Sequence, residues 1–534
     1  MVKTPNYNGA SNASRIQQQG IKSFTGGLNL SRAPQVEPGE TPYCMNVDFP
    51  PMGGDVHRRM SIDSPSYSTP TGQYDALIAF DRGSSIQMLY GIRSGSNTLL
   101  YEYSTPTTLR HSAAACTPQS ITMNDLCYVV LGTGSAPIKW DGSTVTPLSS
   151  ATFADDATSL PHGVMPKAKC VAVWQQAVWV ANIVEPGTST VYPSRVRWSW
   201  PNEPEDWPSW AKEDIDVGNA SDQIVALVPH GDRLLVFKTN SIYAIHGNGP
   251  DNFRLVPVSS TIGAAGQNAV VRTDDSVYFF DVPNGFYRIG ITGGPINLFE
   301  KIRKIMDPGY IPTDAYSKIS VSWVDRRIYV SVPWSESAQG SSRNGRTFIF
   351  DPLDNAWTQH DYGIGKAVRL IHNDTVQVIA PVAHPSTPSY ERLGVMNGPN
   401  DTDFGSYTIV GTYQTYWFDG GDMALFKRWR RVGTLAANVA QLKVEPRVDY
   451  KESAVATFFI EGHPEATGQN LGTAKWGEMV WTPNIDDADY NLIFNDGSRA
   501  GTGRVMSVVV SNSTVGDWSL AAVNAKFIPK RRRD

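Results

Sequence analysis

Four short apolar or alternating runs, Ile224–Val228, Arg233–Lys238, Ser241–Ile245 and Phe253–Val258, are separated by Pro-His-Gly-Asp, Thr-Asn and Gly-Asn-Gly-Pro. Each separator is turn chemistry, so the stretch reads as a four-stranded antiparallel meander. The pattern then recurs as Ala269–Arg272, Ser276–Asp281, Gly285–Ile289 and Ile296–Phe299, with Asp232…Gly247 and Asp275…Gly290 bracketing equivalent hairpins. A third copy opens at Asp325 with Arg327–Val332, resumes after a long loop as Thr347–Asp351 and ends at Trp357. Weaker copies hold Ser85–Ile92 with Thr98–Tyr103, Leu126–Leu131 with Ile138–Trp140, Ala177–Ala181 with Arg195–Trp200, and Thr375–Ala380 with Arg392–Met396. The period of about 40–55 residues is that of propeller blades and exceeds most helical repeats. A lone meander exposes an apolar face; radial stacking covers it with the next copy. Six or seven copies would close a ring, and the competing arrangement is a string of hairpins in stacked sandwiches.

Outside the repeat the rhythm changes. Before about residue 72 lies an extended arm rich in Pro, Gly, Ser and Asn, of a kind that orders only against another surface. After about residue 400 the strands lengthen: Ser406–Asp419, Gln441–Tyr450, Ala454–Glu461, Glu478–Trp481, Val505–Ser511 and Trp518–Ile528. They predict an antiparallel sandwich. The expected organisation is all-β: arm 1–72, six- or seven-bladed β-propeller 73–400, and C-terminal β-sandwich with a basic tail 401–534. Helical periodicity is confined to short pieces such as Phe299–Ile305.

Size and charge narrow the function classes. A chain of 534 residues exceeds one ordinary core, and its net charge of −5 gives no overall pull toward nucleic acid or anionic lipid. Met1–Gly20 is polar without a signal-peptide core, and no apolar run has membrane-spanning length. Synthesis and folding in a cytoplasm are therefore expected, with no membrane insertion. Cys44, Cys116, Cys127 and Cys170 show no C-x-x-C spacing, so buried free thiols are the default reading.

Catalytic motifs are wanting. Gly363-Ile-Gly-Lys366 has neither the spacing nor the Ser/Thr of a phosphate loop, while Gly132-Thr-Gly134 and Gly501-Thr-Gly503 read as tight turns. The nine His residues include no H-E-x-x-H, and no G-x-S-x-G is present. Ser342–Phe348 only approaches a sialidase-type turn, and no pair of carboxylates stands out for glycoside hydrolysis. The acidic loops Asn400–Asp403 and Asp486–Asp489 lack the Gly and terminal Glu of a calcium loop. A non-enzyme without cofactor or metal is expected. Three basic clusters remain: Arg58 and Arg59; Lys427, Arg428, Trp429, Arg430 and Arg431; and Lys530–Arg533. Aromatics interleave with cations in the second, which suits a subunit interface or a phosphate backbone as well as a solvated face.

The arm carries the most distinctive residues: Phe24-Thr-Gly26-Gly27-Leu-Asn29-Leu, then Pro34, Glu37-Pro-Gly-Glu40, Met45-Asn-Val-Asp48 and Gly53-Gly-Asp-Val-His-Arg58-Arg59. Downstream follow Arg197–Trp207, Leu234–Tyr243, Phe350–Trp357 and Thr412–Asp419 with Lys427. In this order the motifs resemble short-tailed bacteriophage tail proteins of the tail-nozzle (tail tubular protein B) and packaged-DNA stabilisation type, over most of the chain. Pro50-Pro51 and Met60 depart from the family pattern. The resemblance implies a virion tail component, a hexamer docked below an adaptor ring at the portal, that retains genomic double-stranded DNA and conducts it at ejection. Tail fibres or spikes are further partners of such a ring. It makes the arm (Phe24, Gly26, Gly27, Asn29, Arg58, Arg59) and the Lys427–Arg431 cluster candidate partner-interface residues. The alternative is a receptor- or carbohydrate-binding tail propeller, with depolymerase activity, using Trp198, Trp200, Trp207 and Trp210 as an aromatic patch.

Overall fold

The computed structural model describes residues 17–529 apart from 22, 33–34, 50–53, 82–85, 149–161, 209–213, 308, 336–343, 373–374, 388–389, 438–440, 462–490, 495–499 and 513–517. Pro34, Pro50–Gly53, Trp210, Asp486–Asp489, Glu478–Trp481 and the Lys530–Arg533 tail thus lie outside the described residues. The chain forms two compact units. One is 62–350 with 361–398; the other gathers 1–61, 351–360 and 399–534.

The first unit is a β-propeller of seven sheets. Its blades begin, from the inside, at Tyr74–Asp81, Gln119–Met123, Lys167–Trp174, Ile224–His230, Val270–Arg272, Ser320–Val324 and Val368–His372. The second strands include Ala177–Val184, Arg233–Lys238 and Ser276–Asp281, in which every residue is buried. Burial on both faces explains why these strands read as unbroken apolar runs: each lies between two neighbouring blades. Tyr278 and Phe286 of the fifth blade meet Phe350 of the sixth at 6.3 and 5.9 Å. The ring closes where Tyr74, Leu77, Met88 and Tyr90 of the first blade share a core with Leu370, Ile379 and Leu393 of the seventh. The outermost strand of that last sheet, Ser61–Asp63, precedes the first blade in sequence. Seven is thus the blade number left open between six and seven by the repeat.

One rim is latched from blade to blade. Asn124 in the first turn of blade two donates to the Asn202 carbonyl, beyond the third strand of blade three, at 2.9 Å. Gln175 does the same to the Gly247 carbonyl, Arg233 to that of Gly290 at 3.0 Å, and Asn397 bonds the Asp325 carboxylate. The turns Asn124-Asp125, Gln175-Gln176 and Asp325-Arg326 have positive φ at both residues, as two-residue type I′ hairpins require, although none contains glycine. Elsewhere in the ring, Lys366 extends its ammonium to the carbonyls of Val270 and Val321, in the inner strands of blades five and six, at 2.6 and 2.8 Å.

The second unit is a two-sheet antiparallel sandwich. One sheet orders Asn491–Phe494, Lys427–Ala437, Ser519–Pro529, Val56–Arg58 and Val47–Asp48, with Gln17–Ile21 also on Ser519–Pro529. The other orders Tyr43–Met45, Thr412–Gln414, Met506–Asn512, Gln441–Val448 and Phe458–Glu461. Residues of the arm therefore supply strands to both sheets, and the expected three-part division becomes two units. The arm lacks a core of its own, but its backbone groups find partners in strands hundreds of residues away: Gln19 pairs with Ala525 and Cys44 with Tyr413. One further expectation changes. The long strand expected over 406–419 is broken into short pieces at Tyr407–Thr408, which turns back on Thr402–Asp403, and Thr412–Gln414, which joins the sandwich. The basic cluster at 427–431 opens an eleven-residue strand, Lys427–Ala437, with a bulge between Trp429 and Arg431.

Helical pieces among the described residues are short 3₁₀ turns such as Glu300–Met306, and no helix is long and apolar enough to cross a membrane. All four cysteines are free, and burial pushes the Cys44, Cys127 and Cys170 thiols up to about 12.

Lys366 provides a pH test. Burial lowers its ammonium to about 7. Between that value and the ordinary lysine range the unfolded chain binds a proton that the folded chain does not, so stability rises with pH there. Urea unfolding of the parent between pH 7 and 9 is expected to show that rise, and Lys366→Met to flatten it.

Candidate functional site

The motif-bearing arm folds into a compact loop before it joins the sandwich. Gly27–Leu28 runs parallel to Glu40–Thr41, and the Asn29 side-chain amide donates to the Glu40 carboxylate at 2.6 Å. The same Glu40 oxygen accepts from the Glu37 backbone at 3.0 Å, and Asn29 N donates to Thr41 O at 2.8 Å. Glycine is needed at 27: its φ is +66°, and a Cβ there would fall 2.7 Å from the backbone N and O of Trp357. Phe24 is 1% exposed and meets Tyr413 edge-on, with centroids 5.2 Å apart. Burial raises the Tyr413 hydroxyl well above its ordinary value.

Arg58 and Arg59 turn inward. Arg59 Nε donates to Asn46 Oδ1 at 3.1 Å, its guanidinium also binds both oxygens of Asp403, and the two ionic side chains are 2% and 1% exposed. Asn46 adopts a φ of 54°, receives this bond, and uses its own amides on the carbonyls of Gln359 and Val410 at 3.0 and 3.2 Å. Arg58 pairs with Asp401 at 2.9 Å; its own side chain is buried while that of Asp401 is half exposed. Asp401 and Asp403 are the acids of the loop considered for calcium. Their oxygens instead meet two arginines, and no group of three or more potential metal ligands occurs among the described residues.

The second basic cluster splits by the alternation of its strand. Lys427 is buried, and its ammonium donates to the carbonyls of Leu425 and Arg504 at 2.9 and 3.0 Å and to that of Asp422. Burial lowers its pKa from the usual lysine value. Trp429 is fully buried, 4.9 Å from Phe527. Arg430 and Arg431 are exposed, and Arg428 is half-buried. Of the expected interface residues, then, Phe24, Gly27, Asn29, Arg58, Arg59, Lys427 and Trp429 are inside this chain, and Gly26 is half-buried. Phe24, Gly27, Arg58, Arg59, Lys427 and Trp429 each bond to, or pack on, a segment distant in sequence, whereas Asn29 bonds Glu40 and Thr41 within the arm's own loop.

In the propeller, the aromatic segment is likewise internal. Trp198 stacks on Trp179 at 4.8 Å, and Phe253 meets both rings. Trp207 is fully buried, with its indole N–H on the Pro204 carbonyl at 3.0 Å, and Trp200 is half-buried. A patch of exposed tryptophans on this segment is therefore absent among the described residues. Trp174 at the end of its strand and the turns carrying Gln175, Asp232 and Asn248 border an open cleft on the latched rim.

No family model and no curated protein matches the chain. Among solved structures, the Pan2 WD40 domain of Neurospora crassa is similar at 9% identity and a TM-score of 0.34, over 62% of this chain and 91% of that one. AztD of Citrobacter koseri matches at 9% identity and a TM-score of 0.28, over 59% and 86%. The extracellular domain of the hybrid two-component system BT4673 of B. thetaiotaomicron matches at 13% and 0.28; this chain covers 49% of itself and only 30% of that protein. At such scores the propeller assignment rests on this chain's own sheet topology.

Two substitutions separate inward from outward motif residues. Gly27→Ala is expected to cost about 2–4 kcal/mol, through positive φ and a backbone clash. Arg430→Ala should stay within about 0.5 kcal/mol. Guanidinium unfolding of both variants measures the difference.

Proposed function

We propose that this protein is a structural component of a bacteriophage tail: a homo-oligomeric ring, a hexamer, that sits below an adaptor ring, retains genomic DNA and conducts it at ejection. The reading is carried by one observation. The motifs that resemble the tail-nozzle family are scattered over some four hundred residues, yet several of them meet in one unit. Phe24 lies on Tyr413, Gly27 on Trp357, and Met45 pairs with Thr412. A shared order of motifs is expected when those residues maintain one architecture, and the assembly role follows the resemblance.

On this reading the protein acts by shape and carries out no chemistry. A conduit must not grip its cargo, because each neutralised phosphate adds salt-dependent affinity that opposes sliding. The buried arginines and lysines suit that requirement, since Arg58, Arg59 and Lys427 spend their charge on acids and carbonyls of the same chain. The rival carbohydrate-binding reading needed an exposed aromatic patch, and Trp198 and Trp207 are instead core residues.

Imaging of virions at a resolution that traces this chain decides between them. The expected result is a closed ring of copies on the tail axis next to the adaptor. A chain found off the axis on a fibre or spike, or missing from the particle, overturns the proposal.

A further inference from the structure

The propeller's last sheet is completed by a strand of three residues, Ser61–Asp63, laid beside Arg392–Gly398. Such a strand has few backbone hydrogen bonds with which to hold a ring shut. Its residues and those of its partner run in opposite directions. Asp63 abuts Gly398, where a Cβ would fall 2.2 Å from the carboxylate, and Asn400 N donates to Ser61 Oγ at 3.1 Å. Immediately beyond, Arg58 meets Asp401 and Arg59 meets Asp403, joining residues 343 and 344 positions apart. The pairing thus continues past the ladder as two ion pairs.

We propose that the Arg58–Asp401 and Arg59–Asp403 pairs are a lock on ring closure: they hold together the end from which the closing strand would peel. The chain leading into Ser61–Asp63 and the chain leaving Arg392–Gly398 are at this same end, so tension between them acts to unzip the strands there. It must first separate the arginines from their acids. The Arg59 fork on Asp403 resists separation because both charges are buried, and parting them leaves each without compensation. Asn46 holds the guanidinium in place through Nε at 3.1 Å. The half-exposed Asp401 forms the weaker outer contact. The inference stands independently of the assembly reading, since it concerns one chain.

Hydrogen exchange with mass-spectrometric detection on the full chain tests it. In Asp403→Asn, amides of Ser61–Asp63 and Arg392–Gly398 are expected to exchange at least about tenfold faster, while the fourth-blade strand Arg233–Lys238 keeps the parent's rate. Uniform acceleration in all blades, or no change at the closing strands, overturns the lock. Should Asp403→Asn fail to fold, Asp401→Asn must give the same localised pattern at smaller size. A disulfide between Ser61→Cys and Asn400→Cys, placed in whichever variant folds, should restore slow exchange when oxidised and lose it when reduced. Failure of a formed disulfide to restore protection likewise overturns the proposal.

Discussion

A four-stranded meander with apolar side chains on both faces has nowhere to stand except between two others like it. Everything in the larger unit follows from that constraint. The strand Arg233–Lys238 buries Leu234 and Val236 toward the third blade and Leu235 and Phe237 toward the fifth. The first and seventh blades each keep one apolar face uncovered until the ring returns to its start. The Tyr74–Leu393 core between first and seventh blades covers both of those end faces at once. The rim latches add direction to this non-directional burial, because an amide on a carbonyl specifies which turn lies against which.

Closure of the ring and construction of the sandwich use the same stretch of chain. Residues 17–61 supply edge strands and buried side chains to the sandwich, and the next residues complete the seventh blade. Buried ion pairs such as Arg59–Asp403 are poor sources of net stability, since desolvation offsets much of their attraction. Their value is discrimination: a shifted register would strand a guanidinium without its acid. The same reasoning applies to Lys238 and Lys427, whose ammonium groups find backbone carbonyls at fixed places in the fold.

Much of this was legible before any coordinates. Turn residues at a recurring spacing marked Ser276–Asp281 and Arg327–Val332 to the residue, because hairpin geometry is set by a few neighbouring residues. The fate of the charged motifs was not legible. Arg58-Arg59 and Lys427–Arg431 read as exposed cations because solvation is the cheap outcome for a charge whose partner is unknown. Asp401 and Asp403 lay more than three hundred residues away, and nothing local in either segment names the other.

The sequence by itself determined the β class, the blade-like repeat, the free cysteines and the position of most propeller strands, all consequences of short-range periodicity and turn chemistry. Tertiary structure alone decided the blade number, the joining of arm and carboxy-terminal strands in one unit, and the inward placement of Phe24, Arg59, Lys427 and Trp429. Those depend on pairings between distant segments, whose free energy appears only once the chain has brought them together.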